Sequence, residues 1–227
     1  MNDIFAYLEA RAYPGRGILL GATPSGKSVV AYFIMGRSEN SRNRVFSVTE
    51  DGIRTEAHDP AKLSDPSLII YHPVRKVGDK LVVTNGDQTD TIRDFLEKGS
   101  DFHSALQTRE FEPDTPNFTP RVSGIVNADG SYTLSILKAG GSGTFCMRYF
   151  FEYAAATPGA GHFISTYEGF GEPRPSFNGE PVFVGIGEYD SKSLAHKLWK
   201  SMNKDNKVSL YVNIDGDVTI KNKNLGD

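Results

Sequence analysis

Apolar positions along this chain come mostly in short runs punctuated by turn residues, and only rarely at helical spacing. Ile18 to Ala22 and Ser28 to Met35 are rich in β-branched and aromatic residues, and Thr23-Pro24-Ser25-Gly26-Lys27 parts them, which predicts a hairpin. The same pattern predicts Val45 to Val48 with Ile53 to Ala57 about Glu50-Asp51-Gly52, and Ser67 to Tyr71 with Lys80 to Thr84 about Gly78-Asp79. It also predicts Val122 to Val126 with Tyr132 to Leu137, and Val208 to Ile214 with Val218 to Lys221. Phe145 to Tyr153 reads as a strand buried on both faces, and the chain returns from His162, itself read as a turn residue.

Helical spacing is confined to four places. Ile4, Phe5 and Leu8 predict a short N-terminal helix or arm ended by Tyr13-Pro14-Gly15. Ile92, Phe95 and Leu96 mark a helix capped by Thr89 or Asp90 and closed by Gly99; Ser100 then caps a second, with Phe102, Ala105 and Leu106 as its stripe. Ser191 to Met202 is amphipathic. Many antiparallel hairpins with few helices predict an α+β fold of two stacked sheets with helices outside. Three prolines between Glu112 and Pro120 predict an extended path, either a linker or a rigid holder for Asn117, Thr119 and Arg121, and Gly140 to Gly143 reads as a linker or flap.

Composition changes this picture little. A chain of 227 residues with 38% hydrophobic content suits one domain over 1–227. A net charge of -3 offers no broad basic field, so a small anionic ligand is expected rather than nucleic acid. The single Cys146, read as a small core residue, allows neither an internal disulfide nor a multi-cysteine zinc site, and with no signal peptide this points to the cytoplasm. No apolar run approaches the roughly 20 residues that cross a bilayer, so no membrane partner is expected.

Two stretches bear on chemistry. Between Met35 and Phe46 stand Arg37, Arg42 and Arg44 with Ser38, Asn40, Ser41 and Asn43. Guanidinium groups match the oxygen geometry of phosphate or carboxylate, so this reads as an anion-binding loop beside a pocket, with a solvated turn as the other reading. Gly21 to Ser28 fits the phosphate-loop pattern GxxxxGK followed by Ser or Thr. That mechanism needs a helix opening at the lysine, and the residues after Lys27 have strand composition, so the stretch reads as a hairpin turn.

Taken together, Arg37-Ser38, Asn43-Arg44, Tyr71, Thr84 to Ile92, Asn117 with Thr119-Pro120-Arg121, and Ile164 to Glu168 resemble the archaeal-type IMP cyclohydrolase family, in the family's order, across Tyr13 to Glu168. The resemblance implies a four-layer αββα sandwich like that of N-terminal nucleophile hydrolases. It also implies an enzyme of purine biosynthesis that closes 5-formamidoimidazole-4-carboxamide ribonucleotide to IMP with loss of water, using no metal and no cofactor. On that basis Arg37 and Arg44 are expected at the 5′-phosphate or its loop, with Arg16 and Arg121 as further candidates. Asn43, Asn85 and Asn117 are expected on ribose or base, with Ser38 and Gln88 among the binding residues. Tyr71 and Glu168 are expected to move protons or orient the carboxamide, with Tyr167 and Asp87 behind them.

The chain departs from the family pattern in an N-terminal extension to about residue 12, extra residues in Glu39 to Arg42, a Pro-rich insert around Glu112 to Pro116 and a longer portion after Glu168. Two other readings stay open: a non-catalytic purine-nucleotide-binding protein, and an amide hydrolase of the N-terminal nucleophile class. The latter needs a terminal Cys, Ser or Thr that Met1-Asn2-Asp3 does not supply. Homo-oligomerisation is left open.

Overall fold

Period-two alternation gives each strand one face for a neighbouring layer, and that pattern organises the whole chain. The computed structural model describes residues 1–227 apart from 64, 65, 67, 170 and 227, and apart from the side chain of 142. In chain order the elements are β1 (Asn2–Asp3), α1 (Ile4–Glu9), β2 (Arg16–Ala22), β3 (Ser28–Met35), α2 (Glu39–Arg42), β4 (Arg44–Thr49), β5 (Gly52–Ala57), β6 (Val74–Val77) and β7 (Lys80–Thr84). There follow α3 (Gln88–Glu97), α4 (Phe102–Gln107), β8 (Arg121–Val126), β9 (Tyr132–Gly140), β10 (Phe145–Tyr153), β11 (Ala160–Ser165), β12 (Val182–Gly185), α5 (Ser191–Ser201), β13 (Lys207–Ile214) and β14 (Asp217–Asn222).

Among the described residues the strands form two seven-stranded sheets, ordered β1-β12-β11-β2-β3-β13-β14 and β10-β9-β8-β7-β6-β5-β4. The β1–β12 pair is parallel; the other pairings are antiparallel. Ile18, Leu20, Tyr32 and Ile34 of the first sheet meet Phe46, Val83, Val122 and Leu134 of the second. On the outer face of the first sheet, Leu19, Phe33 and Leu210 pack under Ile4 and Leu8 of α1 and Leu194 and Leu198 of α5. Val82, Ile125 and Leu137 pack under Ile92 of α3 and Phe102 and Leu106 of α4. The α+β architecture is therefore helix, sheet, sheet, helix, and burying each such Leu, Ile or Phe contributes about 1.5–3 kcal/mol. No helix among the described residues is long and apolar enough to cross a membrane.

Several local expectations are corrected. Leu68 to Tyr71 is not a strand, and Ser67 lies outside the described residues. The partner of β7 is β6, while residues 69 and 71 are held on Thr55, whose backbone N–H donates to the Tyr71 carbonyl at 2.9 Å and whose hydroxyl donates to the Ile69 carbonyl at 2.7 Å. Helix α3 starts after Asp87, whose carboxylate goes to Arg109 and Arg121 instead of capping. Asp101, rather than Ser100, caps α4 by accepting from the Ser104 N–H at 2.7 Å. The proline segment is no extended linker: Asp114 accepts from Thr119, and the Glu112 N–H reaches the Thr119 carbonyl at 2.9 Å, closing a loop.

The glycines at 140–143 close the tight β9–β10 connection, and β10 is an edge strand with Phe145 and Tyr149 exposed, so it is not buried on both faces. Cys146 on that strand is half-buried. His162 lies within β11, stacked on Tyr153 at 3.8 Å between ring centroids. The N-terminal stretch is docked: β1 pairs with β12, a strand the apolar pattern did not announce, and Ile4 and Leu8 enter the core. Gly21 to Ser28 forms the expected hairpin turn, with the Thr23 N–H on the Lys27 carbonyl at 2.9 Å.

Candidate active site

One end of the sandwich collects the start of β2, the end of β3, the start of β4 and the residues just after β11. Antiparallel registry enforces this: Arg16 pairs with Ile34, while the Thr166 N–H bonds the Arg16 carbonyl at 2.9 Å and the Tyr167 N–H bonds Pro14 at 3.1 Å. Gly15, at φ +82°, makes the close approach feasible, since a Cβ there would stand 2.2 Å from Thr166 Oγ1 and 2.8 Å from Tyr167 Cδ2. A cleft of about 290 Å³ opens at this end, lined by Arg16, Arg37, Ser38, Arg44, Asn117 and Tyr167 from the sequence expectations. Ser41 of the arginine loop and Thr119 of the proline segment line it too, as do Tyr13, Ile69 and Asp114, which were unannounced as site residues.

The cleft is built around cations. Arg44 is 1% exposed; its Nε donates to the Ser41 carbonyl at 2.8 Å, and its buried Nη1 has no hydrogen-bond partner. Burial, reinforced by the charge of Arg16, lowers its pKa, against the opposing tyrosines Tyr71 and Tyr32. Arg16 Nε is likewise buried without a partner. Burial opposes the Arg16 charge, but Glu112, 3.8 Å from Nη2, together with nearby tyrosines, outweighs it and raises the pKa. The carboxyl of Glu112, 2% exposed, is itself pushed up by burial, with Arg16 and Arg121 opposing. A buried guanidinium with an unmet N–H is costly, and an incoming anion would satisfy it.

At the mouth, Arg37 pairs with Glu172 at 2.8 Å and lies 4.9 Å from the centroid of Tyr13, and Arg174 approaches the same ring at 5.0 Å. Ser38 caps α2, its Oγ accepting from the Ser41 N–H at 3.1 Å while Ser41 Oγ accepts from the Ser38 N–H at 3.0 Å. Burial drives the Tyr167 phenol up to about 12, with Arg16 and Thr119 pulling the other way.

Other expected residues lie elsewhere. Asn43 clamps the chain after β5, its amide bonded to the Asp59 backbone at 2.7 and 2.8 Å, and lines a separate outer cavity with Arg42 and Lys62. Tyr71 is buried behind the cleft, its hydroxyl 2.8 Å from that of Tyr32. Asn85 and Gln88 are fully buried: Asn85 Oδ1 accepts from the Val122 N–H at 2.8 Å and from Gln88 Nε2 at 3.0 Å, and its Nδ2 donates to Pro120 at 2.9 Å. Arg121 bonds Gln88 Oε1 and Asp87 Oδ1, both at 2.7 Å. Burial acts to raise the Asp87 pKa, but Arg121 and Arg109 outweigh it and hold the carboxyl below its usual range. Glu168 borders a neighbouring cavity of about 310 Å³ with Arg11, and the rings of Tyr13 and Tyr167 line both spaces. Among the described residues, no group of three or more His, Cys, Asp or Glu side chains is arranged to hold a metal ion.

A family model described as IMP cyclohydrolase-like protein matches residues 13–218. The chain is similar to a protein named IMP cyclohydrolase from Methanococcus maripaludis strain C7, 34% identical over 125 residues, covering 53% of this chain and 61% of the relative. Proteins of the same name from Methanopyrus kandleri and Methanosphaera stadtmanae are each 28% identical, over 164 and 160 residues. Those matches cover 70% and 69% of this chain and 77% and 74% of the relatives. Against the Methanococcus maripaludis relatives, the chain thus spans about three fifths of their length.

Proposed function

The chain belongs to the IMP cyclohydrolase-like family, and from that premise we propose that it closes 5-formamidoimidazole-4-carboxamide ribonucleotide to IMP with loss of water, a step of purine biosynthesis in the cytoplasm. The observation that carries this reading is the convergence of Arg16, Arg37 and Arg44 on one cleft, with buried, unpartnered N–H groups on two of them. A 5′-phosphate meets that demand with charge-assisted bonds. Arg44 and Arg37 hold the phosphate with Arg16 beside them, and Ser38 and Asn117 bond the nucleotide.

Both reacting groups belong to the substrate, so the protein's task is to hold one rotamer, stabilise charge on the formyl oxygen and move protons. Tyr167, which lines the cleft, acts at the reacting carboxamide in this reading, and Glu168 acts from across the tyrosine wall. Tyr71, Asn85, Asp87, Gln88 and Arg121 hold the walls, and Asn43 holds the arginine loop from outside. The layer order supports a four-layer sandwich of the N-terminal nucleophile hydrolase kind, and the docked N-terminal extension supports one domain over 1–227.

The test follows ultraviolet absorbance on adding the formamido nucleotide: ring closure faster than in buffer is expected. No acceleration, with IMP still bound, would leave the cleft as a nucleotide-binding site without this chemistry.

A further inference from the structure

Asp114, Thr119 and Tyr167 line the cleft together and are joined in series. Both oxygens of the half-buried Asp114 are taken by one residue: Oδ1 accepts from the Thr119 N–H at 2.6 Å and Oδ2 from the Thr119 hydroxyl at 2.5 Å. An ionised carboxylate has no proton to give, so the Thr119 hydroxyl proton is committed to Asp114. The contact between Thr119 Oγ1 and the Tyr167 hydroxyl therefore has Tyr167 as its donor. A phenol carries one proton, and with that proton turned inward the oxygen presents acceptor capacity to the cleft. Thr119 is 1% exposed and Tyr167 4%, so little water competes for these positions. The anchoring is firm on the C-terminal side as well, where Asn85 bonds Pro120 and Val122.

We propose that Asp114 and Thr119 are positioning residues which orient the Tyr167 hydroxyl as the proton acceptor of the ring closure. This rests on the cyclohydrolase reading above. As the carboxamide nitrogen forms its bond to the formyl carbon, its proton passes to the Tyr167 oxygen. The Tyr167 proton moves to Thr119 Oγ1, and the Thr119 proton moves to Asp114. The formyl π pair becomes an alkoxide on the former carbonyl oxygen. Running in reverse, the relay returns the stored proton through Tyr167 to that oxygen. The resulting hydroxyl leaves with its C–O pair and takes up the formamido N–H proton as water, while the N–H pair closes the C=N bond. The two hydrogens lost from nitrogen are thus the two hydrogens of the water, and the protein ends as it began.

Steady-state kinetics on the full chain with the formamido nucleotide test the relay, using IMP binding to report an intact cleft. Asp114→Asn keeps an oxygen for the Thr119 N–H but offers an NH₂ to Thr119 Oγ1, reversing the series; Thr119→Val cuts it at nearly constant shape; Thr119→Ser keeps the hydroxyl. General acid–base catalysis is worth about 10²–10⁴-fold, so Asp114→Asn and Thr119→Val are expected to lose about a hundredfold or more in kcat, with KM within about threefold. Thr119→Ser is expected to retain kcat within about fivefold. The proposal is overturned if either disrupting variant keeps kcat near wild type, if the loss falls on KM, or if Thr119→Ser is as damaged as Thr119→Val. Those outcomes leave the cyclohydrolase reading standing. Absence of turnover in the wild-type protein would remove both.

Discussion

Arg37 Nη1 and Glu172 Oε1 are joined at 2.8 Å across the mouth of the cleft, so the cation nearest solvent already holds a carboxylate. Glu172 therefore occupies a position that a substrate oxygen would take. Its hydrogen bond from Arg37, and then the Arg37 charge, lower its pKa, so the pair persists into mildly acidic solution. Removing the carboxylate charge should free Arg37. Glu172→Gln is expected to bind IMP about two- to fivefold more tightly at low salt, the range of an exposed ion pair. Titration calorimetry measures this, and weaker binding would mean that Glu172 supports the mouth rather than competing for it.

The deeper arginine carries a second prediction, because its N–H groups are incompletely met without a ligand. Replacing Arg44 by Met removes a desolvated charge at similar volume, so the thermal midpoint should hold or rise. A charge-assisted hydrogen bond is worth about 1.5–3 kcal/mol, so IMP affinity should fall at least about tenfold relative to inosine, which has no phosphate. Equal losses for the two ligands would take Arg44 off the phosphate.

Buried amides should answer differently. Asn85 bonds two backbone groups and Gln88 with nothing exposed, so Asn85→Ala is expected to cost about 2–4 kcal/mol in denaturant unfolding. Unchanged stability with weakened nucleotide binding would instead make Asn85 a ligand contact.

Far from the cleft, His162 stacks on Tyr153, and its Nδ1 lies 2.7 Å from the Tyr132 hydroxyl. Burial lowers its pKa below the ordinary 6.5, so the folded state takes up a proton less readily than the unfolded one. The resulting stability is present above pH 6.5 and is lost as pH falls through the folded-state value. His162→Phe keeps a ring and removes the titration. Its unfolding midpoint should fall less than that of the wild-type protein between about pH 7.5 and about pH 5.5. Parallel curves would place the acid sensitivity elsewhere; His72, also lowered by burial, is retained in both proteins.

Local periodicity made much of the fold legible. Ser28 to Met35 is bounded in the structure as its β-branched run predicts, and α3, α4 and α5 follow their apolar stripes to within a few residues. Physically, side-chain alternation and glycine turns act over a few residues, so they can be read without knowing what lies opposite. They also reject the phosphate-loop reading, since a strand and not a helix follows Lys27.

What lies opposite is the part that required the tertiary structure. Arg37, Arg42 and Arg44 are near neighbours in the chain and chemically alike. Yet Arg44 is buried with an unmet N–H, Arg37 stands at the mouth against Glu172, and Arg42 turns outward to the Gly36 carbonyl and Asn206. Nor does the segment Asp114 to Thr119 reveal by itself that it ends on Tyr167, a residue 48 positions beyond Thr119. The amino-acid pattern determines which strands and helices form and that a cationic loop joins β3 to β4. Burial and hydrogen-bond partnership depend on which strand ends the two stacked sheets bring together, and so only the folded chain decides which of the loop's charges is desolvated and which hydroxyl gives its proton to which.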